Sequence, residues 1–221
     1  MLRKLYKTRR KVTQAASDKS GTAAIEFAMI SPILLVTLLG GTEITQAVMA
    51  ARKVATASRT MADLTAQIRG ATDLTPAMVD EIYAAGRLIL TPHPAGSLKV
   101  TVSRVDVTNV RNNLTASTVW SVTRNGASAR PCGALAKSLN TADPAPGNFP
   151  EGMYYVGRFI VVDVTYVFAA PLTTNFAPQN MGFSGWTNTG NGIEIRRTAY
   201  MQTRLDGAPT VTGAGSCPVV A

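Results

Sequence analysis

From Thr22 to Thr42 the chain reads TAAIEFAMISPILLVTLLGGT, an apolar run interrupted by one charge, Glu26. At about 1.5 Å of helical rise per residue it is about long enough to cross a roughly 30 Å hydrocarbon layer, so the run predicts a membrane-spanning helix over 22–42. Past the run, small and apolar residues recur at steps of three and four: Ile44, Ala47, Val48, Ala51, Val54, Ala55, Ser58, Met61, Ala62, Thr65 and Ile68. Gln46, Arg52, Lys53, Arg59, Asp63, Gln67 and Arg69 lie between them. This spacing predicts an amphipathic continuation over 43–70, ending near Gly70. The two segments together predict a rod of about 48 residues, roughly 70 Å long. A narrow stripe of small residues suits close packing, on the chain's own domain or on sister helices as well. Pro32 removes a backbone donor and crowds the carbonyl of Ala28, and Gly40-Gly41 weakens the helix near its exit from lipid.

The pattern changes after Gly70. Thr75 is a predicted N-cap with Pro76 at the first helical position, opening a helix to about Leu90 with Met78, Ile82, Ala85 and Ile89 on one face. Thr91-Pro92-His93-Pro94 ends it. Leu98, Val100 and Val102 then alternate with polar residues, and the phase slips at Arg104 before Val105 and Val107, the signature of a bulged strand. Val119 to Arg124 reads as a second strand with Asn125-Gly126 as its turn. Residues 130–150 read as a long loop holding Cys132. Tyr154 to Ala169, almost continuously apolar around Asp163, is the predicted central strand. A second loop from Thr173 to Asn191 carries Phe176, Phe183 and Trp186, and Ile193 to Leu205 is the last strand. Helix, helix and four antiparallel strands make an α+β chain, its long N-terminal membrane-spanning helix packed on a small antiparallel β-sheet domain. The predicted parts are a basic leader at 1–21, the span at 22–42, the amphipathic segment at 43–70 and an α+β domain at 71–221.

Composition sharpens this picture. Charged residues make up only 16% of the 221, against the roughly 25% of a soluble domain, which fits a chain partly in lipid or against other subunits. The net charge of +9 invites a nucleic-acid reading until its location is considered. Arg3, Lys4, Lys7, Arg9, Arg10, Lys11 and Lys19, against Asp18 alone, supply +6 of it before Gly21. Beside an apolar run such a cluster is a topology signal: it predicts a cytoplasmic N-terminus, an extracytoplasmic body and no nucleic-acid partner. Cys132 and Cys217 both follow the span. In an oxidising compartment they are a candidate disulfide closing a loop of more than eighty residues; the alternative is two unrelated thiols.

Glu26 is the informative residue. An ionisable group in an apolar span either marks function or snorkels to the nearby interface, and taken alone both readings stand. Its surroundings decide. Gly21-Thr22-Ala23-Ala24-Ile25-Glu26-Phe27, after a basic leader, resembles the type IV prepilin processing signal, in which a membrane aspartyl peptidase cuts after the glycine. The wider stretch GTAAIEFAMISPILLVTLLGGTEITQAVMAARKVATASRTMA is similar to the TadE-like family, through Gly21, Ala23, Ala24, Glu26, Phe27, Pro32, Gly41, Glu43 and Arg59. Phe27 stands where the tight-adherence signal commonly has tyrosine.

The resemblance implies a pilin-like spine and a minor pseudopilin, a pilus assembly protein of the Tad/Flp type IV machinery, working in adherence. The partners it implies are a prepilin peptidase, sister pseudopilin and pilin subunits, inner-membrane platform proteins and the bacterial inner membrane, with a periplasmic C-terminal domain and the pilus or cell surface as a further destination. Cutting after Gly21 would leave an ammonium on Thr22 with a pKa of about 8, and Glu26 stands about 6 Å of helical rise away. A carboxylate there could neutralise its own or a neighbour's amine and set axial register, with Pro32 and Glu43 as further assembly positions. The alternative is an uncleaved, membrane-anchored extracytoplasmic binding protein outside any pilus. A rival signal also exists, since Val48-Met49-Ala50 before Ala51 resembles a secretory cleavage site, although Glu43 and Gln46 interrupt the approach.

No enzyme is expected. The chain has no Cys-x-x-Cys, no phosphate-binding glycine motif and no Gly-x-Ser-x-Gly, and its one histidine, His93, lies between two prolines. Asp163 and Glu194 could face each other across strands, but partners such as Arg158 or Arg196 fit them better. No metal site, cofactor or catalytic residue is predicted. The aromatics of the second loop are expected to pack or staple that loop rather than bind a glycan.

Overall fold

The computed structural model describes residues 20–68, 74–110, 112–139, 147–170, 186–189, 191–203, 210–211 and 219–220. Residues 1–19 of the basic leader, the end of the first helix at Gly70, Phe176 and Phe183, the end of the last strand at Leu205, and Cys217 lie outside the described residues. The chain divides into two compact units, Met1–Ile44 and Thr45–Ala221.

Helix α1 runs from Ser20 to Ala66, 47 residues, unbroken by Pro32 or Gly40-Gly41. The proline leaves the Ala28 carbonyl without its usual amide partner, and the Ser31 hydroxyl lies 3.5 Å from that oxygen. Helix α2 spans Pro76–Leu90, with the Thr75 side chain accepting from the Met78 amide at 3.3 Å, as the sequence predicts. Its buried face is Val79, Ile82, Gly86 and Leu90, one step round from the predicted one. Gly86 explains the shift, because a residue without a side chain is invisible to a hydrophobic count yet sits directly under Met61. A Cβ at Gly86 would stand 2.6 Å from the Met61 sulfur.

Four long antiparallel strands carry the sheet: β1 (Lys99–Val110), β2 (Asn113–Arg124), β6 (Gly157–Phe168) and β8 (Ile193–Gln202). Short strands join them: β3 (Gly133–Ala134), β7 (Trp186–Asn188) and β9 (Val219–Val220), while β4 (Ala136–Ser138) and β5 (Asn148–Pro150) form a separate pair. The order β3-β2-β1-β6-β8-β7 places β6 in the interior, as its apolar run predicts, and β9 pairs with β2.

β1 runs without a bulge through Arg104 and Val105, in unshifted register with β6. The slip there is in its pairing with β2, where Val119 is the extra residue, so the bulge predicted in β1 lies on its neighbour. Before the slip, Val100 and Val102 face the helices, packed with Ala47–Ala66, Val79, Ile82, Ile160, Val162 and Val164. After it, Val105 and Val107 face the other way and join Ala116, Leu135, Phe149, Phe159 and Val161 in a second core. In β1 this is plain alternation, the apolar residues moving from even to odd positions, whereas in β2 the extra residue lets Ala116 face the second core and Trp120 and Val122 the first. The segment around β3–β5, predicted as plain loop, supplies Leu135 and Phe149 to that second core and so covers the face away from the helices.

Candidate functional site

The first unit offers one surface of interest. Ile25, Phe27, Met29, Ile30, Ile33, Leu34, Leu35, Val36, Leu38 and Leu39 are all at least half exposed or nearly so, from 49% to 73%. An 18-residue window of this helix has a mean hydropathy of 2.0 and none of it is buried in the protein. Water would make so long an exposed apolar surface costly, whereas a bilayer satisfies it, and the helix has the length and composition of a membrane anchor.

Gly21, Thr22, Glu26 and Phe27 occupy the first two turns of α1, and all four are exposed. The Gly21–Thr22 peptide bond therefore sits at the end of the helix, where the first turn frays most readily, and glycine lowers the cost of opening it. Glu26 follows Thr22 by one turn, about 6 Å of rise along the same helix. Thr37 and Thr42 turn their hydroxyls back to the carbonyls of Ile33 and Leu39, at 2.8 and 2.7 Å, so these polar side chains of the span are satisfied within the helix. Pro32 is exposed, whereas Glu43, one residue past Thr42, is half-buried.

The second unit uses the rest of α1 differently. Ala47, Ala50, Ala51, Val54, Ala57, Ser58, Met61, Ala62, Thr65 and Ala66 are buried against α2 and the sheet. Ile44 and Val48, expected on that face, are exposed, while Ala50, Ala57 and Ala66 take their place. The small-residue stripe from Ala47 onward is occupied by the chain's own domain. The rival cleavage site after Ala50 falls inside this buried stretch, where cutting would remove Ala47 and Ala50 from the core.

A buried polar centre, absent from the sequence-based expectation, fixes the far face of the sheet. Arg130 is fully buried, and its guanidinium grips Asp163 through both carboxylate oxygens at 2.8 and 2.7 Å. It also donates to the Asn148 carbonyl at 3.0 Å, its amide donates to Ser121 Oγ at 3.1 Å, and Thr198 donates to Asp163 at 2.8 Å. One fork thus ties β2, β6, β8 and the covering segment together. Asp163 pairs with Arg130 rather than Arg158, and it lies opposite Thr198, not Glu194. Glu194 pairs with Arg196 at 2.6 Å, as expected. Arg130 stands beside Pro131 in a stretch without periodicity, so the only signal for it was the lone Asp163 of an apolar strand, which needs a cation.

Trp186 is a core residue in β7. Cys132 is exposed at the bend before β3. His93 lies in the turn after α2, its ring edge-on to Phe168 with centroids 5.8 Å apart. Burial, with the Lys53 ammonium adding to it, holds His93 below its ordinary range. An open cleft of about 550 Å³ lies there, lined by Gln46, Met49, Pro92, His93, Pro94, Tyr166, Phe168 and Ala169. The Tyr166 hydroxyl donates to the Pro94 carbonyl at 3.1 Å, and burial raises its pKa. Among the described residues no group of three or more His, Cys, Asp or Glu could hold a metal ion.

Compared with known families, residues 21–63 fit the model for TadE-like proteins. No curated protein and no solved structure matches the chain.

Proposed function

We propose, from the premise that the chain is TadE-like over 21–63, that it is a minor pseudopilin: a pilus assembly protein cut by a prepilin peptidase after Gly21 and working in biogenesis of a Tad-type pilus for adherence. The observation that carries the reading is where the family match falls. It opens on Gly21, runs through the exposed apolar helix, and ends within the stretch buried in the chain's own domain. A domain that merely needed an anchor would not require Glu26, exposed one turn beyond a cleavable glycine.

In this reading the peptidase frees the Thr22 amine, and Glu26 of the same or a neighbouring subunit neutralises it in lipid. A mis-set neighbour leaves one charge unpaired, so the pair sets axial register more than it adds stability. The partners are the peptidase, sister pseudopilin and pilin subunits and the inner-membrane platform, and the body is periplasmic. The role is structural, with no catalysis, cofactor or nucleic acid. A Cys132–Cys217 bridge belongs to the same proposal and suits a periplasmic body; it is supported by Cys132, which is not a free thiol.

The test is the N-terminal mass of membrane-extracted protein from cells with and without a prepilin peptidase. A start at Thr22 that needs the peptidase is expected. A start at Met1 in both strains makes the chain an uncleaved anchored protein, and a start at Ala51 makes the first helix a signal peptide. In the cleaved protein, Glu26→Gln is expected to lower co-purification with sister subunits while leaving cleavage intact; unchanged association would remove the register role.

A further inference from the structure

Two strands of two residues each flank β2 at one edge of the sheet. β3 pairs antiparallel with Ser117 and Thr118, and β9, from the C-terminal end of the chain, pairs in parallel with Ser121 and Val122. Val119, the extra residue of β2, falls between them. From Val119 to Arg124 this edge reads Val-Trp-Ser-Val-Thr-Arg, rich in strand formers, with one charge and no proline. Native sheets cover or blunt such an edge, because its unpaired N–H and C=O groups template another strand. Among the described residues β9 is the strand that covers it.

A two-residue strand at the end of a chain does not hold itself in place. One tie lies upstream, where the Leu74 amide donates to the Thr210 carbonyl at 2.6 Å and Val211 bridges to Leu74. A second tie is chemical. Cys132 is not a free thiol, and Cys217 is the chain's other cysteine. The two ladders agree with that pairing. One step past Thr118–Gly133, the β3 register brings Cys132 level with Val119. A chain that kept the β9 register two steps back from Ser121–Val219 would bring position 217 level with the same residue. The bridge shortens the free segment before β9 from about eight residues to about two, which favours closure about eightfold.

We propose that β9, pinned by a Cys132–Cys217 bridge, is a strap over a self-associating edge, and that a second copy of this chain takes its place when the strap is released. The proposal rests on the bridge put forward above, and not on cleavage, the anchor or any pilus. The run fits itself. In an antiparallel pair with Val119 opposite Arg124, the two arginines stand at opposite ends, and each copy's Asn125-Gly126 turn ends its strand where the other's β3 begins. Release takes a dithiol: exchange oxidises it to its own disulfide, reduces the S–S bond and returns two thiols to the chain.

The test uses the full chain in detergent micelles, with protein mass from light scattering and amide exchange of peptides from β1 and β2. Untreated protein is expected to be monomeric, to yield a peptide pair linked through Cys132 and Cys217, and to protect residues 120–123. With dithiothreitol, or with Cys132→Ser and Cys217→Ser together, exchange at 120–123 in dilute samples is expected to rise about eightfold. Raising the concentration is then expected to give dimers in which that protection returns. Val219→Pro with Val220→Pro keeps the bridge but removes both N–H groups of β9, and is expected to give the same dimers while β1 exchange stays unchanged. This second variant separates loss of the strand from any misfolding that loss of the bridge causes. Released chains that stay monomeric at high concentration overturn the proposal, as do dimers whose 120–123 amides exchange fast. Cys132 found free or linked to another chain removes the bridge and the strap with it, and leaves the cleavage and anchor readings standing.

Discussion

The two parts of α1 are equally helical, yet one is exposed along its length and the other is buried along a stripe. Side-chain size separates them better than hydrophobicity does. The exposed part is built from Ile, Leu, Met, Phe and Val, whereas the buried stripe is mainly Ala with Val54, Ser58 and Thr65. Large apolar side chains present volume to lipid and need no complementary partner. Small ones let a helix backbone approach a sheet closely, and the gain then comes from shape rather than from the side chain's own area. The one large buried residue of the stripe, Met61, lies where a glycine on α2 makes room for it. The same helix is therefore an exposed apolar surface, with the length and composition of a membrane anchor, in one unit and a packing surface in the other.

The sharpest way to break this comparison is Met61→Ala. Met61 is fully buried in the main core, and truncating a buried methionine costs about 2–5 kcal/mol. Gly86→Ala is expected to destabilise by about 1–3 kcal/mol, because crowding against the Met61 sulfur outweighs the gain of about 1 kcal/mol in helix propensity. Combined, the two should cost less than their sum, since the shortened side chain at position 61 leaves space for the new methyl group. Denaturant unfolding of the full chain in detergent, followed by tryptophan fluorescence, gives all three values. Strict additivity would mean that Gly86 and Met61 are not the contact that seats α2 on α1.

Much of this was legible from the sequence, for identifiable reasons. The Thr75-Pro76 start of α2 and the interior place of β6 each follow from a local signal, whereas the phase change at Arg104, which suggests a bulge in β1, answers to an extra residue in its neighbour, Val119 of β2. The Asn125-Gly126 turn was legible as well, and both residues are left-handed, at φ 58° and 68°. The first half of β2, Asn113–Ser117, was not, because its alternation rests on only Leu114 and the small Ala116, too weak an apolar signal until pairing with β1 makes it a strand. The covering segment at 130–150 was hidden for a different reason: its anchor is a fork between Arg130 and Asp163, 33 residues apart, and no local pattern reports a partner at that distance. For the candidate site the balance is reversed. Gly21, Glu26 and the apolar run were plain in the sequence, while the cleft at His93 needed the fold to bring Gln46, Pro92 and Phe168 together.

The smallest expected effect is the most informative about the exposed part of α1. Leu35 is 56% exposed in the protein, and on the anchor reading lipid surrounds it whether or not the second unit is folded. Leu35→Ala should then leave the unfolding free energy of that unit within about 0.5 kcal/mol, although the same loss of side chain at Met61 costs several times as much. Leu35→Lys sharpens the comparison, since a charge near mid-span raises the insertion free energy by about 2.5–3.5 kcal/mol and should lower the membrane-inserted fraction without touching the second unit. Alkali extraction of membranes reads the second effect and denaturant unfolding the first. If Leu35→Ala destabilised the second unit as a core truncation does, the exposed side chains would be packing on protein rather than lipid. The division of α1 into a lipid-facing and a sheet-facing part would then fail.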